Sequence, residues 1–326
     1  MSRTRRWPWI VGAIVFIAVG TLGLAREPDL TVAEARAKYA SPASTFVTVA
    51  PGLAVHVRDE GPRDALPIIL LHGSSASLQT WEPWVVRLKS RYRVVTLDTP
   101  GHGLTGADPR GDYSSEHMLA VIDAVVTERG LTRFVIGGNS MGGGFAAAYA
   151  VAHPERVAGL VLVDAGGVPY DGDRDLPLGF RIAATPVVRD IVKGITPRAL
   201  IATSLEGTFS DAAKITPAMI DRYWELLRYP GNRDATIARF ATPWLRLDAA
   251  TLGQFKGPVA IIWGRDDRLI PVAAADWFTR TLPQAKLTIL DKVGHVPMEE
   301  APDASLAPVL ALLTTLQADT PRIAAK

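Results

Sequence analysis

The segment Gly138-Asn139-Ser140-Met141-Gly142 places a serine hydroxyl between two glycines, each two residues away from it. It stands between a short apolar run and an alanine-rich helical pattern, so Ser140 is expected at a sharp turn from strand to helix. Such a turn strains the backbone, and glycines tolerate the close approach of neighbouring chain because they lack a Cβ atom. The pattern predicts Ser140 as an exposed nucleophile, the alternative being a glycine-rich turn with an incidental serine.

A serine hydroxyl needs a base within hydrogen-bonding distance before it can attack. The chain has six histidines, and the chain order usual for this turn places the base after the serine, which leaves His153 and His295. His153 lies down the helix that starts beside Ser140, roughly 20 Å away by the helical rise. His295 follows the last predicted strand, in a loop at the sheet edge where Ser140 is expected. We therefore predict His295 as the general base.

A carboxylate must hold the tautomer of that histidine and stabilise its protonated form. The loop after the preceding predicted strand offers two candidates, Asp266 and Asp267. Asp164, at the end of an earlier strand, is a third. Residue type alone leaves this choice open.

Two backbone amides are candidates for binding an oxyanion. Met141 would begin the helix after the nucleophile, where amide groups point outward without partners. Gly73 follows the apolar run Ile68–Leu71 and allows a turn that exposes the amide of Ser74. We predict an oxyanion hole formed by the amides of Ser74 and Met141, and we interpret His72 as a packed turn residue.

The elements that must position these groups alternate along the chain. Short apolar runs indicate strands buried on both faces, and amphipathic patterns between them indicate helices, so the fold class is α/β with a mostly parallel, doubly wound sheet. Before the parallel strands, two strands that flank Pro51-Gly52 are predicted to form an antiparallel hairpin. The predicted strands are Thr45–Ala50, Ala54–Arg58, Ile68–Leu71, Val94–Leu97, Phe134–Gly137, Leu160–Val163, Val259–Trp263 and Leu287–Leu290; the predicted helices include Ser115–Glu128, Met141–Ala152 and Ala273–Thr281.

The alternation stops between about residues 166 and 254, where only helical patterns occur, among them Asp221–Arg228. An insertion there would form a helical cap over the carboxyl edge of the sheet, where ligands bind in open α/β folds. The chain thus divides into a membrane anchor or signal segment at 1–29, a connector at 30–44, a first core part at 45–165, the cap at 166–254 and a second core part at 255–326. The cap's aromatic side chains, Phe180 and Phe240 among them, favour a hydrophobic substrate.

The first residues have the pattern of a membrane segment. Residues 7–25 are an uncharged run of 19 residues, preceded by Arg3, Arg5 and Arg6. As a helix this run would span roughly 28 Å, close to the thickness of a bilayer core. The arginines favour a cytoplasmic N-terminus and an extracytoplasmic body. A cleavable signal, releasing a secreted or periplasmic protein, is the alternative because the run ends in small residues.

Composition excludes several classes of function. Without the three leading arginines the body is almost neutral, so no nucleic-acid partner is expected. There are no cysteines, and we find neither metal-ligand spacing nor a dinucleotide fingerprint. We therefore expect no cofactor and no metal, and we expect a small hydrophobic acyl compound as the substrate.

Together, His72-Gly73, the Ser140 segment, Gly264-x-x-Asp267 and Gly294-His295-x-Pro297 resemble the α/β-hydrolase superfamily over roughly residues 45–318. The chain is most similar to capped serine hydrolases such as esterases, C–C hydrolases and cofactor-free haloperoxidases. The resemblance implies Asp267 as the acid. Epoxide hydrolases and haloalkane dehalogenases carry an aspartate where Ser140 stands, which argues against both activities.

The resemblance implies hydrolysis of a carboxylic ester or related acyl compound through an acyl-enzyme on Ser140. The first alternative is a C–C bond hydrolase of the meta-cleavage type. Those enzymes usually have a glycine-rich oxyanion loop, whereas this chain has serines after Gly73. A second alternative, of another class, is a ligand-binding protein on a hydrolase scaffold without catalysis.

Overall fold

The computed structural model describes residues 27–169, 181, 185 and 194–318. The predicted membrane segment at residues 7–25 and the cap residue Phe180 lie outside the described residues. No helix among the described residues is both long enough and apolar enough to cross a bilayer.

One eight-stranded sheet forms the centre of the molecule, with the strand order β1-β2-β4-β3-β5-β6-β7-β8. The first two strands form the predicted antiparallel hairpin, β2 also runs antiparallel to β4, and all other neighbours are parallel. The strands are Ser44–Ala50 (β1), Leu53–Glu60 (β2), Pro67–Leu71 (β3), Arg93–Leu97 (β4), Phe134–Asn139 (β5), Val157–Val163 (β6), Val259–Gly264 (β7) and Ala285–Leu290 (β8). The predicted mostly parallel α/β sheet is confirmed.

Helices cover both faces of this sheet because consecutive strand residues point to opposite sides. Ile69 and Leu71 pack in one apolar cluster, and Ile68 and Leu70 in the other. The helices of the core are Glu82–Leu88 (α2), Ser115–Glu128 (α3), Met141–Ala152 (α4), Ala273–Thr281 (α9), Pro297–Glu300 (α10) and Pro302–Ala318 (α11). Three of these, α3, α4 and α9, have the bounds predicted from the sequence.

The cap is inserted between β6 and β7, and its described part contains helices without strands. Its helices are Arg198–Glu206 (α5), Pro217–Leu227 (α6), Asn232–Ala241 (α7) and Ala249–Leu252 (α8). The predicted helix at residues 221–228 corresponds to α6, which begins four residues earlier because Thr216 caps it and Pro217 suits its first turn.

Two details differ from expectation. The polar connector contains a helix, Val32–Tyr39 (α1), whose Thr31 and Glu34 form a capping box and whose Ala35 is buried against the cap. The strand β8 was expected to be buried, but all its residues are exposed or half-buried because it lies at the edge of the sheet with a neighbour on one side.

Candidate active site

Ser140 lies at the turn between β5 and α4, and its backbone is strained. Its φ is 52° and its ψ is −120°, a conformation that side-chain-bearing residues rarely adopt. The packing requires the glycines around it, since a Cβ atom on Gly138 would lie 2.2 Å from the carbonyl carbon of Gly142. The turn holds Ser140 at the carboxyl end of the central parallel strand β5.

The loops after β7 and β8 bring Asp267 and His295 together. Asp267 Oδ2 lies 2.7 Å from His295 Nδ1, and both side chains are buried. The other oxygen, Oδ1, accepts hydrogen bonds from the amides of Leu269 and Ile270 at 2.8 and 3.0 Å. Both carboxylate oxygens therefore have partners, and the carboxylate holds one ring nitrogen of His295 in a fixed direction.

The neighbouring Asp266 lies outside this arrangement. It is exposed, and its Oδ2 accepts a hydrogen bond of 2.6 Å from the hydroxyl of Ser210 in the cap. Of the two carboxylates that the sequence offered in this loop, the structure joins Asp267 to His295.

Asp164, the third sequence candidate, lies beside the pair in a buried position. Its Oδ1 accepts the amide of Gly264 at 2.9 Å, whereas no donor among the described residues reaches its Oδ2. Burial, together with the nearby Asp267 carboxylate, raises the pKa of Asp164 well above its ordinary value. A proton on Oδ2 can be donated to Asp267, so two adjacent carboxyl groups share one negative charge.

Asp164, Asp267 and His295 also have the side-chain types of a metal site, and their ligand atoms lie within 4.8 Å of one another. Asp267 already accepts bonds on both oxygens, and burial beside that carboxylate raises the pKa of Asp164, which favours its neutral form. A cation needs deprotonated ligands with free lone pairs. These three residues therefore fit a hydrogen-bonded relay better than a metal centre.

The loop that follows β3 approaches Ser140 closely. A Cβ atom on Gly73 would lie 3.2 Å from that of Ser140, and the hydroxyl of Ser74 lies 3.4 Å from Met141 Sδ. Neither the Ser74 amide nor the Met141 amide donates to a backbone carbonyl within the described part of the chain. Both predicted oxyanion donors are thus adjacent to Ser140, and neither has a backbone acceptor among the described residues.

Two buried histidines line the base of this loop without joining the catalytic candidates. His72 Nδ1 lies 2.7 Å from the carbonyl of Gly73, and its Nε2 accepts the amide of Thr99 at 3.0 Å. Burial lowers the pKa of His72 and lowers that of His102 further. The position of His72 agrees with its interpretation as a packed turn residue, and His102 packs beside it.

Sequence reasoning missed Asn139, which links two parts of the site. Its side-chain amide donates to the carbonyl oxygens of His295 at 2.9 Å and of Val163 at 3.2 Å. A polar residue at the end of a fully buried strand was the signal available, because such a group requires buried partners. Asn139 therefore fixes the backbone of the histidine loop against β5.

Ser140 and His295 line one cavity of about 150 Å³ beneath the cap, which we call the central cavity. No hydrogen bond joins the two side chains among the described residues, and such bonds commonly tighten only when substrate binds. The opposite wall is mostly apolar and comes from the cap. Its residues include Ile195, Leu200, Ile201, Leu205, Leu227, Ile237 and Phe240.

The profile of the family described as "alpha/beta hydrolase fold" matches residues 67–302, which is most of the chain. The chain belongs to the α/β-hydrolase family. As a member of this family with hydrolase relatives, it is an enzyme. The family assignment agrees with the resemblance carried by the four motifs.

Relatives of this hydrolase fall into two chemical groups. A 2-hydroxy-6-oxononadienedioate/2-hydroxy-6-oxononatrienedioate hydrolase of Cupriavidus pinatubonensis is 30% identical over 270 residues, covering 77% of this chain and 89% of the relative. Lipase 1 of Psychrobacter immobilis is 25% identical over 283 residues, covering 83% and 84%. Among solved structures, a membrane phospholipase A superposes with a TM-score of 0.73 at 23% identity, covering 96% of this chain and 99% of the other.

Proposed function

We propose that this hydrolase cleaves a carboxylic ester or a related acyl compound through an acyl-enzyme on Ser140. The observation that carries the proposal is the convergence of a strained serine and a buried His295–Asp267 pair on one cavity. The apolar cap wall favours a hydrophobic acyl group, because burial of such a group there removes apolar surface from water.

In the proposed reaction, His295 takes the proton from Ser140 as the hydroxyl attacks the substrate carbonyl. Asp267 keeps Nδ1 protonated so that Nε2 faces the serine, and it stabilises the imidazolium that forms. The free amides of Ser74 and Met141 bind the oxyanion. His295 then protonates the leaving group, and a water molecule that it activates releases the acid.

A C–C bond hydrolase is the second candidate, favoured by the 30% identical relative named for such substrates. The same serine, histidine and oxyanion donors would serve that chemistry. The loop after Gly73 continues with Ser74 and Ser75 rather than glycines, which favours the ester. Turnover of a vinylogous diketone at more than about a hundred times the rate of simple esters would reverse this preference.

Labelling by a fluorophosphonate probe tests the nucleophile directly. We expect the wild-type protein to be labelled and the Ser140→Ala protein to remain unlabelled, because the probe reacts with an activated serine hydroxyl. Ser204→Ala is a matched control in the cap. An unlabelled wild-type protein would favour the ligand-binding alternative.

A pair of aspartate variants tests the acid. Asp267→Asn should lower kcat by about three to four orders of magnitude, since the amide would hold the wrong tautomer of His295. Asp266→Asn should change kcat less than about threefold, because that carboxylate bonds only to Ser210 among the described residues. The kcat values are measured from initial rates on a phenyl ester. An equal loss of kcat in the two variants would refute Asp267 as the catalytic acid.

We further propose that residues 7–25 anchor the enzyme in a membrane, with the catalytic body on the extracytoplasmic side. Supporting this are the uncharged run and the three arginines before it. Washing membranes with alkaline carbonate should leave the protein in the pellet. Its release, together with an N-terminus that begins after residue 25, would instead indicate a cleaved signal.

A further inference from the structure

A second cavity adjoins Ser140 on the side away from α5. It has a volume of about 450 Å³, and we call it the side cavity. Ser74, Ser140 and Phe240 line both cavities, so the nucleophile stands between them. A substrate whose reacting carbonyl is at Ser140 can place one end in the central cavity and the other in the side cavity.

The two cavities differ in the arginines that line them. The central cavity has Arg233, which bonds to the carboxylate of Asp29 at 2.6 Å. The side cavity is lined by two arginines, Arg239 and Arg246, and by no aspartate or glutamate among the described residues. The cap as a whole has nearly equal numbers of basic and acidic residues. The local charge of this cavity is therefore positive although the average of the cap is close to neutral.

Arg239 is half-buried, and its guanidinium has weak partners. Its Nη1 lies 3.1 Å from the thioether sulfur of Met141, which is a poor acceptor, and its Nε is buried without an acceptor in the described part of the chain. No described carboxylate forms an ion pair with it. Burial lowers the pKa of Arg239 to about 10, which still leaves the group charged near neutral pH.

A buried charge without a counter-charge is unfavourable, because water is lost and no protein group replaces it. The cost falls when a ligand supplies the missing anion. The guanidinium is planar and offers paired donors that match the two oxygens of a carboxylate. A monoanion matches the single interior arginine, since Arg246 is exposed.

We propose that the side cavity binds a carboxylate carried by the substrate, and that Arg239 is the residue that recognises it. This inference rests on the proposed hydrolysis at Ser140, and it narrows the substrate to an acyl compound with a carboxylate on one arm. Arg239 adjoins Met141, so the carboxylate would lie near the oxyanion donors and would position the scissile carbonyl between the two cavities.

Matched esters test this specificity on either side of the scissile bond. Monophenyl adipate and its neutral amide differ in charge on the acyl arm, and para-butyryloxybenzoate and its amide differ on the leaving group. We expect wild-type kcat/KM to be higher for the carboxylate in at least one pair. Arg239→Gln should lower that value about 10- to 100-fold, the range for a charge-assisted hydrogen bond, and change the neutral substrates less than about threefold.

Two controls separate recognition from a structural role. Arg91→Gln removes an exposed arginine that bonds to Gln317, and it should leave the preference unchanged. Arg239→Gln should not lower the melting temperature, because it removes an uncompensated charge. An equal loss on charged and neutral esters together with a lower melting temperature would overturn the proposal. An unchanged preference for the carboxylate esters in Arg239→Gln would also overturn the proposal. A stronger preference, dependent on Arg239, for an ester that carries a phosphate monoester in place of the benzoate carboxylate would overturn it as well.

Binding without turnover distinguishes this inference from the catalytic proposal. Calorimetry with the Ser140→Ala protein should detect monophenyl adipate or para-butyryloxybenzoate, and the added Arg239→Gln change should weaken that affinity at least 10-fold. If the wild-type protein neither hydrolyses the esters nor reacts with the fluorophosphonate, the proposed hydrolysis fails. Failure of both carboxylates to bind more tightly than their amides would overturn the carboxylate site itself.

Discussion

At the scale of single residues, the most informative feature is the pair of carboxyl groups behind His295. Asp267 accepts bonds on both oxygens, while Asp164 beside it keeps one oxygen without a donor. Two negative charges in one buried site repel each other, and this repulsion raises the pKa of Asp164. Asp267 is the group that bonds to His295, and the amides of Leu269 and Ile270 donate to its other oxygen.

Asp164→Asn tests this division of roles. An asparagine can accept from the Gly264 amide and donate to Asp267, as the protonated acid does, so we expect kcat to stay within about threefold of wild type. Asp164→Leu should lower kcat at least 10-fold because it leaves Asp267 without that donor. If Asp164 were the catalytic acid instead, the asparagine variant would lose activity as severely as Asp267→Asn.

The Asp164→Asn variant should also change how the stability of the protein depends on pH. Because the pKa of Asp164 is raised in the folded state, the folded protein binds more protons than the unfolded chain above about pH 4, and wild-type stability falls as pH rises towards the raised pKa. Asp164→Asn lacks this loss. In urea unfolding, the free energy of unfolding of Asp164→Asn should rise relative to that of the wild type as the pH increases. The expected rise is about 1.4 kcal/mol for each pH unit between the unfolded and folded pKa values of Asp164.

At the scale of elements, the short helix α10 joins the cap to the histidine loop. Glu300 is buried and accepts the amides of Ser210 and Asp211 in the cap and that of Gly294 beside His295. The preceding Glu299 binds Arg222 and the hydroxyl of Tyr223 on α6. The position of His295 therefore depends on how the cap packs against α10.

Glu300→Gln should weaken the connection between the cap and the loop that carries His295. A glutamine retains one acceptor and turns the other into a donor that faces an amide, so a buried donor loses its partner, at a cost of about 1–3 kcal/mol. We expect a lower melting temperature and a kcat reduced at least 10-fold, measured on a phenyl ester. Glu206→Gln, which changes an exposed glutamate at the end of α5, is the matched control and should change neither quantity.

At the scale of the whole molecule, the chain before the first strand supports the cap over the sheet. Arg228 donates to the carbonyl of Pro28, Arg233 bonds to Asp29, and Lys38 on α1 pairs with Glu225 on α6. Ala35 is buried near Leu104 and Tyr229. The segment at residues 27–39 is thus packed on the cap.

Ala35→Arg tests whether this contact stabilises the cap. An arginine at a fully buried alanine overpacks the interface and brings in an unpaired charge, so we expect a loss of about 1–3 kcal/mol. Faster proteolysis within the cap would accompany the lower unfolding midpoint. Lys38→Ala removes only a partly exposed ion pair and should cost less than about 1 kcal/mol. Equal stability of Ala35→Arg and wild type would contradict the role of α1.

Local interactions made much of this molecule predictable. The periods of apolar residues depend on which face of a strand or helix is buried, so the bounds of α3, α4 and α9 could be predicted. The turn at Ser140 was equally predictable, because only a glycine-flanked residue tolerates its backbone. The helix α1 was missed since its sequence is polar with a single buried residue, and its packing surface on the cap lies almost two hundred residues away.

From the sequence we could predict the order of strands and helices, Ser140 as a nucleophile and the loops that carry His295 and Asp267. Only the folded structure shows which of two adjacent aspartates meets His295, that Asp164 is buried beside Asp267, and that Arg239 lines a cavity with no aspartate or glutamate among its described residues. Those outcomes depend on burial and on contacts between residues that are far apart in the chain, 28 positions for Asp267 and His295. Neither quantity exists in a local pattern, because both arise only when the whole chain has packed.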